Sequence, residues 1–213
     1  MELNAQWADQ WMRDAAASMD ENRQRLIDLD RAIGDADHGE NMDRGFTAIV
    51  EKLDADGTPG TPADVFKLAA MTLMSKVGGA AGPLYGTAFL RGSTAVSGKD
   101  VLDAGDIVAF LAAARDGIVS RGKAEPGDKT MVDAFTPAVE AAETAAGAGS
   151  DAAATLSAAA NAAEGGLAGT EPLVARKGRA SYLGERSAGH LDPGAASTTL
   201  ILQAAARAAS EQA

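Results

Sequence analysis

Apolar residues recur at the 3.6-residue period of a helix along most of this chain, and no stretch alternates them as a half-buried strand would. Phe66, Ala69, Ala70, Leu73 and Val77 form one stripe, and Ile107, Phe110, Leu111, Ala114 and Ile118 repeat its spacing behind a capping Asp103. Met131, Ala134, Phe135, Ala138, Val139 and Ala142 give a third helix that Pro137 must kink or begin. Trp7, Trp11, Ala15 and Met19 mark an N-terminal helix running to about Leu26, and residues 151–168 and 195–210 read as Ala-rich helices packed face to face. Residues 40–53 and 84–97 complete a set of eight. The breaks at 54–62, 98–103, 120–129 and 146–150 are short enough for antiparallel neighbours in one bundle.

Only 4% of the 213 residues are aromatic, so core volume must come from small side chains on closely approaching elements. One all-α domain over residues 1–213 is the expected architecture. A net charge of −11 disfavours any broad surface for nucleic acid or an anionic membrane. With no Cys and two His, disulfides, thiolate zinc sites and cysteine nucleophiles are excluded. The start MELNAQWADQWMRD lacks the basic and apolar regions of a signal peptide, and no apolar run approaches the ~20 residues that span a bilayer. A cytoplasmic protein is expected.

Three Gly-rich stretches do not look like ordinary connectors. In the first, Asp30, Asp35 and Asp37 can turn three carboxylates toward one point, the donor type that hard divalent cations take. Capping of a helix start is the other reading of the same residues. An EF-hand beginning at Asp35 fails, because Glu40 stands where Gly is required and Phe46 where Glu is required. In the second, Gly78 to Pro83 is a side-chain-poor turn entering a helix, suited either to backbone packing or to presenting N–H groups to an anion. A Walker A loop at Gly92 to Asp100 fails, since five residues separate Gly92 from Gly98 and Asp100 follows Lys99. In the third, Arg176, Lys177, Arg179 and Arg186 cluster beside the Asp192, Pro193, Gly194 turn, where the protein's own carboxylates or an anionic ligand would balance them. His38 and His190 lie in these loops, and neither is catalytic on sequence grounds alone. Met42 and Met131 suit a planar base or the core.

In combination, LDRAIGDADHGENMDRGF from Leu29, VGGAAGPLYGT from Val77, SRGKAEPGDKTMVDA from Ser120 and ARKGRASYLGERSAGHLDPGA from Ala175 resemble the nucleotide-binding L subunit of dihydroxyacetone kinases. The resemblance implies an eight-helix antiparallel barrel with ADP or ATP at one end. It implies that Asp30, Asp35 and Asp37 bind two Mg²⁺ ions, with His38, Gly39 and Asn41 beside them. Gly79, Ala80 and Ala81 would approach the phosphates, and Gly122, Met131, Arg179, Asp192, Pro193 and Gly194 would enclose the rest. Family members often carry Ser where this chain has Ala81, which removes a hydroxyl donor and leaves the backbone N–H. The implied partners are a K subunit that holds dihydroxyacetone and a phosphotransferase-system M protein that recharges the bound ADP. An ATP-exchanging kinase subunit for another short ketose and a non-catalytic nucleotide sensor are the alternatives.

Overall fold

The structure, a computed structural model, describes residues 3–211, and these are all-α. In chain order the helices are α1 (Ala5–Glu21), α2 (Arg23–Ile33), α3 (His38–Asp56), α4 (Pro62–Lys76), α5 (Ala81–Ala95), α6 (Ala104–Gly122), α7 (Met131–Gly147), α8 (Ala152–Gly169) and α9 (Pro193–Glu211). A 3₁₀ segment, Arg179–Ser187, precedes α9, and the isolated bridge between Leu3 and Leu102 ties the chain start to the α5–α6 connection.

Local chemistry sets most boundaries. Asn4 accepts from the N–H groups of Gln6 and Trp7 to start α1, and Thr61 with Pro62 starts α4. Reciprocal capping boxes start α6 (Asp103 with Asp106) and α7 (Thr130 with Asp133). Pro137 therefore lies inside α7 and does not begin it. The expected first helix is two: Asn22 ends α1, its N–H reaching back to the carbonyl of Ser18, and α2 starts at Arg23.

Helices α3 through α9 pack in sequence, and α9 returns to α1, which itself lies on α3; these eight form a closed ring with α2 against α3 and α9. One side of the ring is filled by large rings. Trp11 meets Phe66 at 5.3 Å and Phe110 at 5.6 Å between centroids, and Phe66 meets Phe110 at 4.5 Å. Such offset and edge contacts add to the burial of ~150–250 Å² per ring. The indole N–H groups of Trp7 and Trp11 donate to the carbonyls of Ala205 and Ile201 on α9, so neither is buried without a partner. The other side, where α7, α8 and α9 meet, is packed by alanines, among them Ala138, Ala142, Ala159, Ala163, Ala204 and Ala208.

Backbones come closest where α8 crosses α7. Proline has no N–H to give to the carbonyl four residues before it, so Pro137 leaves the Asp133 carbonyl uncovered. Gly166 of α8 fills that gap: a Cβ there would lie 2.2 Å from the Asp133 oxygen. Its neighbour Gly165 faces open space. Gly166→Ala is expected to destabilise the protein by about 1–3 kcal/mol in urea unfolding. Gly165→Ala, in the same helix, should stabilise it by about 0.5–1 kcal/mol through propensity alone.

Candidate functional site

Because ring neighbours run antiparallel, α3, α5, α7 and α9 all begin at the same end, and their first residues line one cavity of about 420 Å³. Each helix start carries a partial positive charge, so four of them make that end attractive to an anion. Three are capped by side chains. Asp30 Oδ2 accepts from the N–H groups of Asp37 (2.9 Å) and His38 (3.1 Å) at α3, Thr130 and Asp133 cap α7, and Asp192 Oδ2 accepts from Ala195 N–H (2.7 Å) at α9. Helix α5 has Ala80 at its N-cap and so no side-chain cap. Its first N–H groups, in the stretch Gly79 to Ala81, have no intrahelical acceptor and lie at the cavity wall.

The acidic turn stands at the same cavity. Oxygens of Asp30, Asp35 and Asp37 all lie within 4.8 Å of one another, Asp30 buried and the other two exposed. Asp37 makes no capping bond of its own, since Asp30 takes that role from the preceding helix. Ala36 holds the turn at φ +64°, a left-handed conformation that a side chain rarely adopts and that brings its two neighbours to the same side. An all-oxygen set of this charge fits a hard cation such as Mg²⁺. The Arg179 guanidinium lies 2.9 Å from Asp35 Oδ2, joining the basic segment to the acidic turn.

Of the residues expected from sequence, Asp30, Asp35, Asp37, His38, Asn41, Gly79, Ala80, Ala81, Gly122, Met131, Arg179, Asp192, Pro193 and Gly194 line this cavity. Gly39 does not. It sits where α3 crosses α2, and a Cβ there would lie 2.3 Å from the Arg23 carbonyl, so its small size serves helix packing. Met131 faces the cavity while Met42 is core, and His190 is exposed and away from it.

Several polar partners of the site residues carry no sequence signal. His38 Nε2 pairs with Ser197 Oγ at 2.8 Å, and Tyr85 OH bridges Ser197 Oγ (2.7 Å), Thr198 Oγ1 (2.8 Å) and the Gly194 carbonyl (3.0 Å). Burial lowers the His38 pKa against the opposing pull of Asp30 and Asp37, and burial raises that of Tyr85, so both are neutral at pH 7 and act as hydrogen-bonding groups. Arg44 bonds Asn41 Oδ1 and the Lys76 carbonyl (2.9 Å), fixing the amide at the cavity wall. Lys129 is buried with its ammonium on backbone carbonyls. Each of these contacts joins residues more than thirty positions apart, apart from Arg44 to Asn41.

Fold and site together define a helical barrel at one end of which four helix starts and three convergent carboxylates meet on one cavity. Residues 32–207 match the family model described as the DAK2 domain. The chain is 45% identical over 204 residues to the ADP-binding subunit DhaL of PEP-dependent dihydroxyacetone kinase 1 from Listeria innocua, covering 96% of each chain. It is 44% identical over 201 residues to the corresponding DhaL of Escherichia coli, covering 94% of this chain and 95% of that one. The dihydroxyacetone kinase of C. freundii, solved with AMP-PNP and Mg²⁺, shares the fold with a TM-score of 0.72 at 23% identity, over 94% of this chain and 33% of its own. The chain belongs to the DAK2 domain family.

Asp192 gives the site a pH signature. Burial pushes its carboxyl up to about 7 from an ordinary 3.8, with the Ala195 N–H opposing. A raised carboxyl means that the folded state favours the protonated form, so its contribution is complete below pH 3.8 and is lost as pH rises through about 7. Asp192→Asn keeps an oxygen for Ala195 N–H and does not titrate. In the nucleotide-free protein, the variant's thermal stability relative to wild type should therefore climb between pH 4 and pH 7 and level off above.

Proposed function

We propose that this chain is the nucleotide-holding subunit of a dihydroxyacetone kinase, keeping ADP and ATP with Mg²⁺ at one end of its barrel and passing a phosphoryl group to dihydroxyacetone carried by a K subunit. The observation that carries the reading is the uncapped start of α5 on the same cavity as three convergent carboxylates. A nucleotide's phosphates need both: N–H donors for their oxygens and a divalent cation for their charge.

In this reading Asp30, Asp35 and Asp37 hold two Mg²⁺ ions, which supply charge neutralisation on the phosphates. Asp30 keeps one oxygen on the α3 backbone, so the turn is already shaped before a cation arrives. The N–H groups of Gly79, Ala80 and Ala81 donate to phosphate oxygens; with Ala at position 81, the backbone does this without a hydroxyl. Asn41, held by Arg44, and neutral His38, held by Ser197, present fixed polar atoms along the phosphate path. Met131 and Gly122 offer apolar surface to the base, and the Asp192 to Gly194 turn closes the far side. No side chain need form a bond to phosphorus, because positioned donors and cations suffice for phosphoryl transfer. The acceptor substrate enters from the K subunit, and the phosphotransferase-system M protein returns the phosphoryl group to ADP while the nucleotide stays bound.

The test is to purify the protein without added nucleotide, denature it and quantify what is released. About one ADP and about two Mg²⁺ per chain are expected. An empty protein that binds added ATP with Mg²⁺ would indicate an exchanging kinase subunit for this or another short ketose, and failure to bind either would end the nucleotide reading. Nucleotide retention without phosphoryl transfer, when a K subunit and a phosphodonor are supplied, would indicate a sensor. Asp35→Asn and Asp37→Asn should each lower Mg²⁺ affinity roughly ten- to a hundredfold by titration calorimetry while leaving the helical circular dichroism intact.

A further inference from the structure

Between α8 and α9 the chain makes a long excursion, residues 171–191, that brings Lys177, Gly178, Arg179 and Ala180 to the cavity wall. Its middle is secured apart from the main core, by Ala175, Ala180 and Leu183 packing on Ile33, and only Leu191 of the returning stem packs on the main core. What draws its two stems together is Lys129. The Nζ donates to the carbonyls of Thr170 (2.7 Å) and Glu171 (3.4 Å) on the outgoing stem and to that of His190 on the returning stem. Two further bonds join the stems along the same line, Gly189 N–H to the Glu171 carbonyl (2.8 Å) and Asp192 N–H to the side-chain Oγ1 of Thr170 (3.0 Å).

Lys129 is 1% exposed and sits at φ +63°, a left-handed conformation that a side-chain-bearing residue rarely adopts and that persists only where surroundings enforce it. An ammonium has three donors, and here three carbonyls take them, so none is free for a phosphate. Thr170 is the C-cap of α8, and beside that helix end a cation is also favoured by the helix dipole.

We propose that Lys129 is a positioning residue for the nucleotide: by tying both stems of segment 171–191, it holds Gly178 and Arg179 against the cavity and slows departure of a bound nucleoside diphosphate. The inference rests on the nucleotide reading above and adds the element that retains the ligand. Two measurements on wild type, Lys129→Met and Lys129→Arg test it. One is the rate of tryptic nicking within the segment, at Arg176, Lys177, Arg179 and Arg186, mapped by mass spectrometry. The other is the dissociation rate of N-methylanthraniloyl-ADP in Mg²⁺ buffer.

Lys129→Met should be nicked and should release the analogue each about tenfold faster, with its association rate unchanged, and Lys129→Arg should recover most of both. Faster nicking with unchanged release overturns the proposal, as does unchanged nicking. Wild-type protein that takes up no analogue overturns the nucleotide reading itself, and this inference with it. If Lys129→Met gives no folded protein, Thr170→Val removes the acceptor of Asp192 N–H from the same stem, and it must raise both rates or the proposal fails.

Discussion

One oxygen of Asp30 accepts two backbone N–H groups at the start of α3, and the arrangement of the acidic turn depends on that contact. It leaves Asp37 free of the capping duty that its position would otherwise impose, and it fixes where α3 begins relative to the end of α2. Because Asp30 is buried while Asp35 and Asp37 are exposed, the turn has a rigid member inside and two accessible ones outside. A turn built this way has little left to reorganise, since the most costly carboxylate to bury is already satisfied.

The same economy of small groups governs the barrel. Bulky rings and two indoles fasten α1, α4, α5 and α6 to α9, whereas α7, α8 and α9 approach through alanines and one glycine. Close approach of backbones on that side brings the starts of α7 and α9 together at the cavity, where the N–H of Met131 lies 3.5 Å from the Cβ position of Gly194. A larger side chain on the alanine faces would separate the helix starts that shape the site.

Most of the helical layout was legible because apolar spacing is a local property of each segment. Asn22 was not, since MDENRQRL contains neither Gly nor Pro and the turn there is made by an Asn whose N–H folds back on Ser18. Pro137 was ambiguous until the capping box of Thr130 and Asp133 placed the start of α7 before it. In the acidic turn the spacing of Asp30, Asp35 and Asp37 carried the information, but the DHG that follows misled: His38 reaches the cavity and Gly39 faces the other way, against α2. Tyr85, Ser197 and Lys129 were invisible for a physical reason. Their partners lie 41 to 159 residues away, and a buried hydroxyl or ammonium announces itself only through those partners.

The four helix starts have a consequence of a different kind. The chain carries a net charge of −11, so its average surface repels a polyanion, and attraction must be confined to one end. Each helix start supplies about half a positive charge from peptide groups alone. Peptide dipoles neither gain nor lose protons, so this share of the attraction is constant across every pH at which the fold survives. The pull of this end on an anion is therefore built into the backbone and persists for as long as the helices do.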